Sequence, residues 1–285
     1  MSSKWLSSKI KINQNDLFYW RTGGNKKQII LAHGFTDDSS CWFELAKDLE
    51  KDFDLIMYDA IGHGLSTRIV RDKPLDMVED LQSLITSLKL NKPIVMGHSM
   101  GAAVGAGLAA TYPELLSALI LEDVPWIESV PKSDAQNNQE QANKHNYPEI
   151  IARLQTGTVE EATKFSKKHH PEWIESAHEP WASSKMKFDL TFFSTKWPDS
   201  PNWQEVARKI KCPTLLLTGD ISRGGLVSSE VAIKALKLIP GLEWAHIPNA
   251  GHLLRYEQYE LYIKVVKSFL IDITQKLQNN PEIWC

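Results

Sequence analysis

Short apolar runs recur along the chain as QIILAHG, DLIMYDA, PIVMGHS, ALILED, TLLLTGD and EWAHIP. None alternates cleanly between apolar and polar residues, so each reads as a strand covered on both faces, as in a parallel sheet between helices. Between these runs the spacing becomes helical. Residues 76–90 place Met77, Leu81, Leu84, Ile85 and Leu88 on one stripe, with Asp76 and Glu79 at capping-box spacing. Segment 257–277 repeats the pattern with Tyr262, Val265, Val266, Phe269, Ile273 and Leu277. This alternation predicts an α/β fold with a doubly wound, mostly parallel sheet. The opening stretch KIKINQNDLFYWRTG reads instead as a hairpin turning at Asn13–Asp16, adding antiparallel strands at one edge.

The alternation stops between Val124 and Glu205. Here lie the polar segment DAQNNQEQANKHN and helical patches around HHPEWIESAHEPW, with Trp126, Trp173, Trp181, Trp197 and Trp203 among the chain's 10 tryptophans. A helical insertion between two sheet strands is expected to cap the strands' C-terminal edge, where open α/β sheets bind ligands. The expected division is a core of residues 1–123 and 206–285 and a helical cap of 124–205. Trp126 and Trp181 are the candidate substrate-binding tryptophans, although large aromatics also serve simply as packing.

Composition narrows the function. A chain of 285 residues is ample for a substantial core, and a net charge of −3 leaves no electrostatic footprint for nucleic acid. Cys41, Cys212 and Cys285 are far apart, which argues against a disulfide framework or a zinc site. His169, His170 and His178 match no metal-binding spacing, and no phosphate loop or G-x-G-x-x-G appears. No metal, nucleotide or other cofactor is therefore expected. The N-terminal MSSKWLSSKIKINQND lacks a signal-peptide core, and GAAVGAGLAA is too short and glycine-rich for a membrane span. A cytoplasmic location is expected.

One motif carries chemistry. Gly97-His98-Ser99-Met100-Gly101 follows the run PIVM and precedes a small-residue helix, the strand–turn–helix context that a G-x-S-x-G motif requires. With it come His33-Gly34-Phe35, the stretch Asp59 to Ser66 containing Gly62-His63-Gly64, and Asn249-Ala250-Gly251-His252. In this order the chain resembles the α/β-hydrolase fold family over nearly its whole length. It departs at Ile61, where the family usually has arginine. The resemblance implies a capped serine hydrolase with Ser99 as nucleophile and His252 as general base. The chemistry agrees, since a serine hydroxyl is a poor nucleophile until a positioned imidazole takes its proton. The family pattern also implies an oxyanion hole made by the backbone N–H groups of Phe35 and Met100. The epoxide-opening and halide-displacing members use an aspartate nucleophile, which this elbow lacks. His33 and His63 are expected to bond loop backbone.

The third triad member is ambiguous. In most of the family it follows the strand TLLLTG as G-x-x-D, but that position here is Ser222. Asp220 comes two residues early, in a loop that Gly224 and Gly225 reshape. Other members place the acid after the strand that follows the nucleophile helix, where Asp123 stands, with Glu122 directed to the other face. Asp123 is the preferred acid and Asp220 the alternative. The expected function is cofactor-free hydrolysis of carboxylic esters or lactones with an apolar portion, through an acyl-enzyme on Ser99. The alternatives are carbon–carbon bond hydrolysis of ring-fission diketones, or a hydrolase-shaped small-molecule receptor. Fold alone does not separate them.

Overall fold

The computed structural model describes residues 5–70, 75–127, 147–195 and 202–279. The apolar runs form β3 (Lys27–Ala32), β4 (Phe53–Tyr58), β5 (Ile94–His98), β6 (Ala118–Glu122), β7 (Thr214–Thr218) and β8 (Leu242–His246). Every residue of β4, β5, β6 and β7 is buried, as expected of strands sandwiched between helices. Preceding them, β1 (Leu6–Ile12) and β2 (Asn15–Arg21) make the hairpin, with Asn13 at a positive φ in its turn. The eight strands run β1-β2-β4-β3-β5-β6-β7-β8. The hairpin pairs antiparallel at one edge, and β3 to β8 pair parallel throughout. At the other edge, β8 is half-buried, with Glu243 exposed.

The helices in chain order are α1 (Phe43–Leu49), α2 (Met77–Ser87), α3 (Met100–Thr111), α4 (Tyr147–Gln155), α5 (Val159–His169), α6 (Glu175–Lys187), α7 (Trp203–Lys209), α8 (Ser229–Leu238), α9 (Leu254–Glu257) and α10 (Tyr259–Asn279). One core contains Leu81 and Leu84 of α2, Leu108 of α3, Ala207 of α7 and Val231 of α8. A second contains Leu45 of α1 with Tyr262, Val266 and Phe269 of α10. The sheet is thus covered on both faces. The Asp76 side chain accepts from the Glu79 N–H at 3.0 Å and starts α2. The expected C-terminal helix, 257–277, begins two residues late as α10, because Gln258 at φ −138° separates it from the short α9.

Helices α4, α5 and α6 and a 3-10 turn at Leu190–Ser194 lie in the insertion between β6 and β7. The Thr158–Glu161 capping box opens α5. Helix α6 packs against the turn at Ser39–Trp42, on the C-terminal side of β3. Helix α7 packs on α3. The polar segment DAQNNQEQANKHN and Trp197 lie outside the described residues. Among the described residues, no helix is long and apolar enough to cross a membrane.

Candidate active site

Ser99 occupies the sharp turn between β5 and α3, with φ 50° and ψ −115°. Such a backbone is costly for a non-glycine residue and persists only where the surroundings impose it. Two neighbours explain the motif's glycines. A Cβ on Gly97 would fall 2.3 Å from the Gly101 carbonyl oxygen, and one on Gly101 would fall 2.2 Å from the Ala32 carbonyl oxygen. Both contacts are with backbone, which has no room to yield. The Ser99 N–H donates to the Glu122 carbonyl at 2.9 Å, tying the turn to the adjacent strand.

His252 sits in the loop after β8, and its Nδ1 lies 2.6 Å from Asp123 Oδ2. A carboxylate only accepts, so Nδ1 carries a proton, and in the neutral ring the lone pair is then on Nε2. Asp123 is fully buried, at a φ of 41° just past β6. Its oxygens also accept from the Leu226 N–H at 2.9 Å and the Val227 N–H at 3.3 Å. The Gly224–Gly225 loop therefore delivers amides to Asp123. Asp220 is directed elsewhere: its carboxylate meets His246 Nε2 at 2.9 Å and accepts from the Asn249 N–H at 2.8 Å. Ser222 lies in the same loop, exposed.

Met100 is the first residue of α3, so its N–H has no partner within the helix. Among the described residues, neither this N–H nor that of Phe35 donates to a protein acceptor. His33 uses both ring nitrogens on backbone, with Nδ1 2.8 Å from the Gly34 carbonyl and Nε2 accepting from the Ala60 N–H at 2.9 Å. His63 bonds the Ile61 carbonyl at 3.0 Å, and burial holds it well below the usual imidazole range. Ile61, in the family's usual arginine position, is buried in the core.

A cavity of about 910 Å³ brings together Phe35, Ser99, Trp173, Trp181, Leu226 and His252. Trp181 thus borders the same space as Ser99. Trp126 does not line it. That side chain is 3% exposed and stacks on Trp203 at 5.2 Å, joining α7 to the core. The cap histidines are engaged separately. His169 stacks on Phe165 at 4.0 Å, His170 stacks on Trp173 at 4.0 Å, and His178 Nδ1 is 2.8 Å from Ser166 Oγ.

The order of strands agrees with a sequence profile. The profile of the alpha/beta hydrolase fold matches residues 27–258. The chain belongs to the alpha/beta hydrolase fold family. Among its relatives in this family is the 2-(acetamidomethylene)succinate hydrolase of Mesorhizobium japonicum. The two are 26% identical over 282 residues, covering 94% of this chain and 96% of the relative. Esterase YbfF of Escherichia coli is 23% identical, over 87% of this chain and 94% of its own. Among solved structures, carboxylesterase CesB of Bacillus subtilis superposes with a TM-score of 0.69. It is 20% identical, over 94% of this chain and 92% of its own.

Several contacts that support this hydrolase-fold site were not read from the sequence. His98 Nε2 bonds the His252 carbonyl at 2.9 Å and so holds the loop carrying that histidine. Burial keeps the His98 imidazole far below its ordinary pKa, hence neutral. Its place inside the G-x-S-x-G motif was the available signal. On the opposite face from Asp123, Glu122 accepts from Arg255 Nη1 and the Tyr262 hydroxyl, each at 2.9 Å. The Arg255 guanidinium lies 4.3 Å over the Trp42 ring. Alternation along β6 foretold Glu122's direction, but its partners come from two distant helices, α9 and α10, and carry no local signal.

Proposed function

We propose that this protein is a serine hydrolase that cleaves carboxylic esters or lactones with an apolar portion through an acyl-enzyme on Ser99. The observation that carries this reading is the 2.6 Å contact between His252 Nδ1 and buried Asp123, with His252 and Ser99 facing one cavity. The Ser99 hydroxyl attacks the acyl carbon while His252 Nε2 takes its proton. Charge forming on the carbonyl oxygen is met by the N–H groups of Phe35 and Met100, and each such donor is typically worth about 3–4 kcal/mol in the transition state. The positive end of α3 points to the same spot. Collapse of the tetrahedral adduct expels the alcohol, which receives the proton from His252. Water then adds to the acyl-enzyme with His252 again as base, releasing the carboxylic acid and restoring Ser99. Asp123 holds the imidazole in the required tautomer and stabilises the imidazolium between the two steps.

Phe35, Trp173, Trp181 and Leu226 give the cavity an apolar wall suited to an apolar acyl or alcohol portion, while Glu172, Arg223 and Glu257 also border it. The insertion around residues 124–205 would then act as the lid that excludes water. The test is turnover of a p-nitrophenyl ester series together with lactones, a ring-fission diketone and 2-(acetamidomethylene)succinate. Ser99→Ala should lower kcat on the best substrate by about 10⁶ while the fold persists. A purified, folded Ser99→Ala variant that keeps more than a tenth of the wild-type rate would sink the nucleophile assignment. If the diketone or the succinate is preferred over every ester and lactone, the substrate class is wrong.

A further inference from the structure

Lys185 is 1% exposed, although burying a lysine costs rotamer entropy and hydration. It projects from α6 in the insertion to the loop after β3. There Nζ donates to the Thr36 carbonyl at 3.0 Å, to Asp37 Oδ1 at 2.8 Å and to Ser184 Oγ at 3.2 Å. It also lies 4.9 Å from the Trp181 ring centroid. An ammonium has three N–H donors, and three acceptors use them all. Lys185 borders the cavity with Ser99, yet it has no donor left for a substrate. Its function has to be exerted through the loop it holds.

That loop is strained. Thr36 is a β-branched residue at φ 65°, a conformation that surrounding bonds must impose. The turn it makes sets the peptide two residues earlier. The Gly34 carbonyl accepts from the Asp37 N–H at 3.2 Å and lies 2.8 Å from His33 Nδ1. The N–H of that same planar unit belongs to Phe35, and in a trans peptide it points away from the carbonyl. Fixing the carbonyl end therefore aims the Phe35 N–H. On its other side, Asp37 lies 3.6 Å from the Arg255 guanidinium, so its carboxylate is gripped from core and insertion alike. Phe188, Phe192 and Phe193 of the insertion surround the Phe35 ring at 5.2–5.5 Å. Such packing buries the loop but does not orient a peptide. Lys185 supplies the directional bonds from the insertion to Thr36 and Asp37 themselves, while Lys187 bonds Asp38, the next residue of the loop, at 3.0 Å.

We propose that Lys185 is a positioning residue that locks the Thr36–Asp37 turn and keeps the Phe35 N–H aimed at the oxyanion. Seating of α6 on the core and completion of the oxyanion hole are thereby one event. This rests on the serine-hydrolase reading above.

Lys185→Met keeps the stem length and removes the donors. Losing one oxyanion donor outright costs about 10²–10³ in kcat, and a misaimed donor costs less. The variant should therefore lose about 10- to 100-fold in kcat on a p-nitrophenyl ester, with KM within about threefold of wild type. Phosphonylation of Ser99 by a fluorophosphonate should slow by a similar factor, because the tetrahedral phosphonyl oxygen uses the same donors. Removing Lys185 also strips Asp37 of its nearest countercharge, so Lys185→Met/Asp37→Asn is made alongside and carries the test should the single variant melt below the assay temperature. This double variant should regain the melting temperature but not the rate. Wild-type kcat and labelling in Lys185→Met would overturn the proposal, as would recovery of both stability and rate in the double variant. A uniform rise in KM with kcat unchanged would overturn it too. If wild type and Ser99→Ala are equally unlabelled and inactive, the hydrolase reading itself fails and takes this one with it.

Discussion

A carboxylate serves an imidazole only within hydrogen-bond reach, and here two candidates have divided their partners. Asp123 Oδ2 meets His252 Nδ1, whereas Asp220 holds His246 Nε2 and the Asn249 N–H. Asp123→Asn should therefore leave His252 in the wrong tautomer and lower kcat by about 10⁴. Asp220→Asn retains a side chain able to bond the same loop and should cost less than about tenfold. Steady-state kcat on one activated ester, with circular dichroism to verify folding, checks the pair. The reverse ranking would return the acid to the loop after β7. As the proposed nucleophile and base, Ser99 and His252 stand out in sequence because local sterics force glycines around the one, and chain order places the other. The proposed acid stood out only as a choice between two, since the contact between Asp123 and Leu226, far apart in sequence, leaves no local mark. Lys185 gave no signal at all. In SSKMKFD it reads as a solvated lysine at a helix end, and only the tertiary fold brings it to Thr36.

At the scale of elements, apolar runs foretold all six parallel strands, because burial on both faces leaves a mark in a short stretch of sequence, although the edge strand β8 is only half-buried. Helix α2 was equally plain from its stripe and Asp76 cap, yet it carries a cost that the stripe does not reveal. Asp80, in its first turn, is buried, and burial together with the charges of Asp76 and Glu79 raises its pKa from 3.8 to about 6. The helix dipole favours an acid there by about 0.3–1 kcal/mol, whereas a shift of this size corresponds to about 2–3 kcal/mol against the charged form. The folded state therefore binds more protons than the unfolded chain between about pH 4 and pH 6, and stability falls as pH rises through that window. Asp80→Asn removes the penalty. It should raise the melting temperature by several degrees at pH 7.5 and leave it nearly unchanged at pH 4. Thermal melts at the two pH values measure this directly, and an equal shift at both would mean that charge is not the cause. The break at Gln258 was hidden for a different reason. The expected segment put Glu257 inside the last helix, and only the φ of Gln258 separates α9 from α10.

The whole molecule decides what two chemically identical side chains do. In sequence, Trp126 and Trp181 were equivalent aromatics of one insertion, both candidates for touching substrate. The fold separates them. Trp181 lies 6.0 Å from Trp173, and both line the cavity that Ser99 faces. Trp126 stacks on Trp203 away from that cavity, at a seam between the insertion and the core. Truncating each therefore perturbs a different property. Trp181→Ala enlarges the space beside Ser99, so kcat/KM should rise for longer acyl chains relative to acetate, with a change in stability smaller than that of the other variant. Discrimination by one methylene in an apolar pocket is worth about 1–3 kcal/mol, so a preference change of tenfold or more across the ester series is readable. Trp126→Ala leaves a void in a packed stack and should destabilise the protein by about 3–5 kcal/mol while relative kcat/KM across the same esters stays as in wild type. Chemical denaturation and an ester chain-length series, run on both variants, separate the two roles. A chain-length shift in Trp126→Ala without one in Trp181→Ala would show that substrate enters along the Trp203 seam instead.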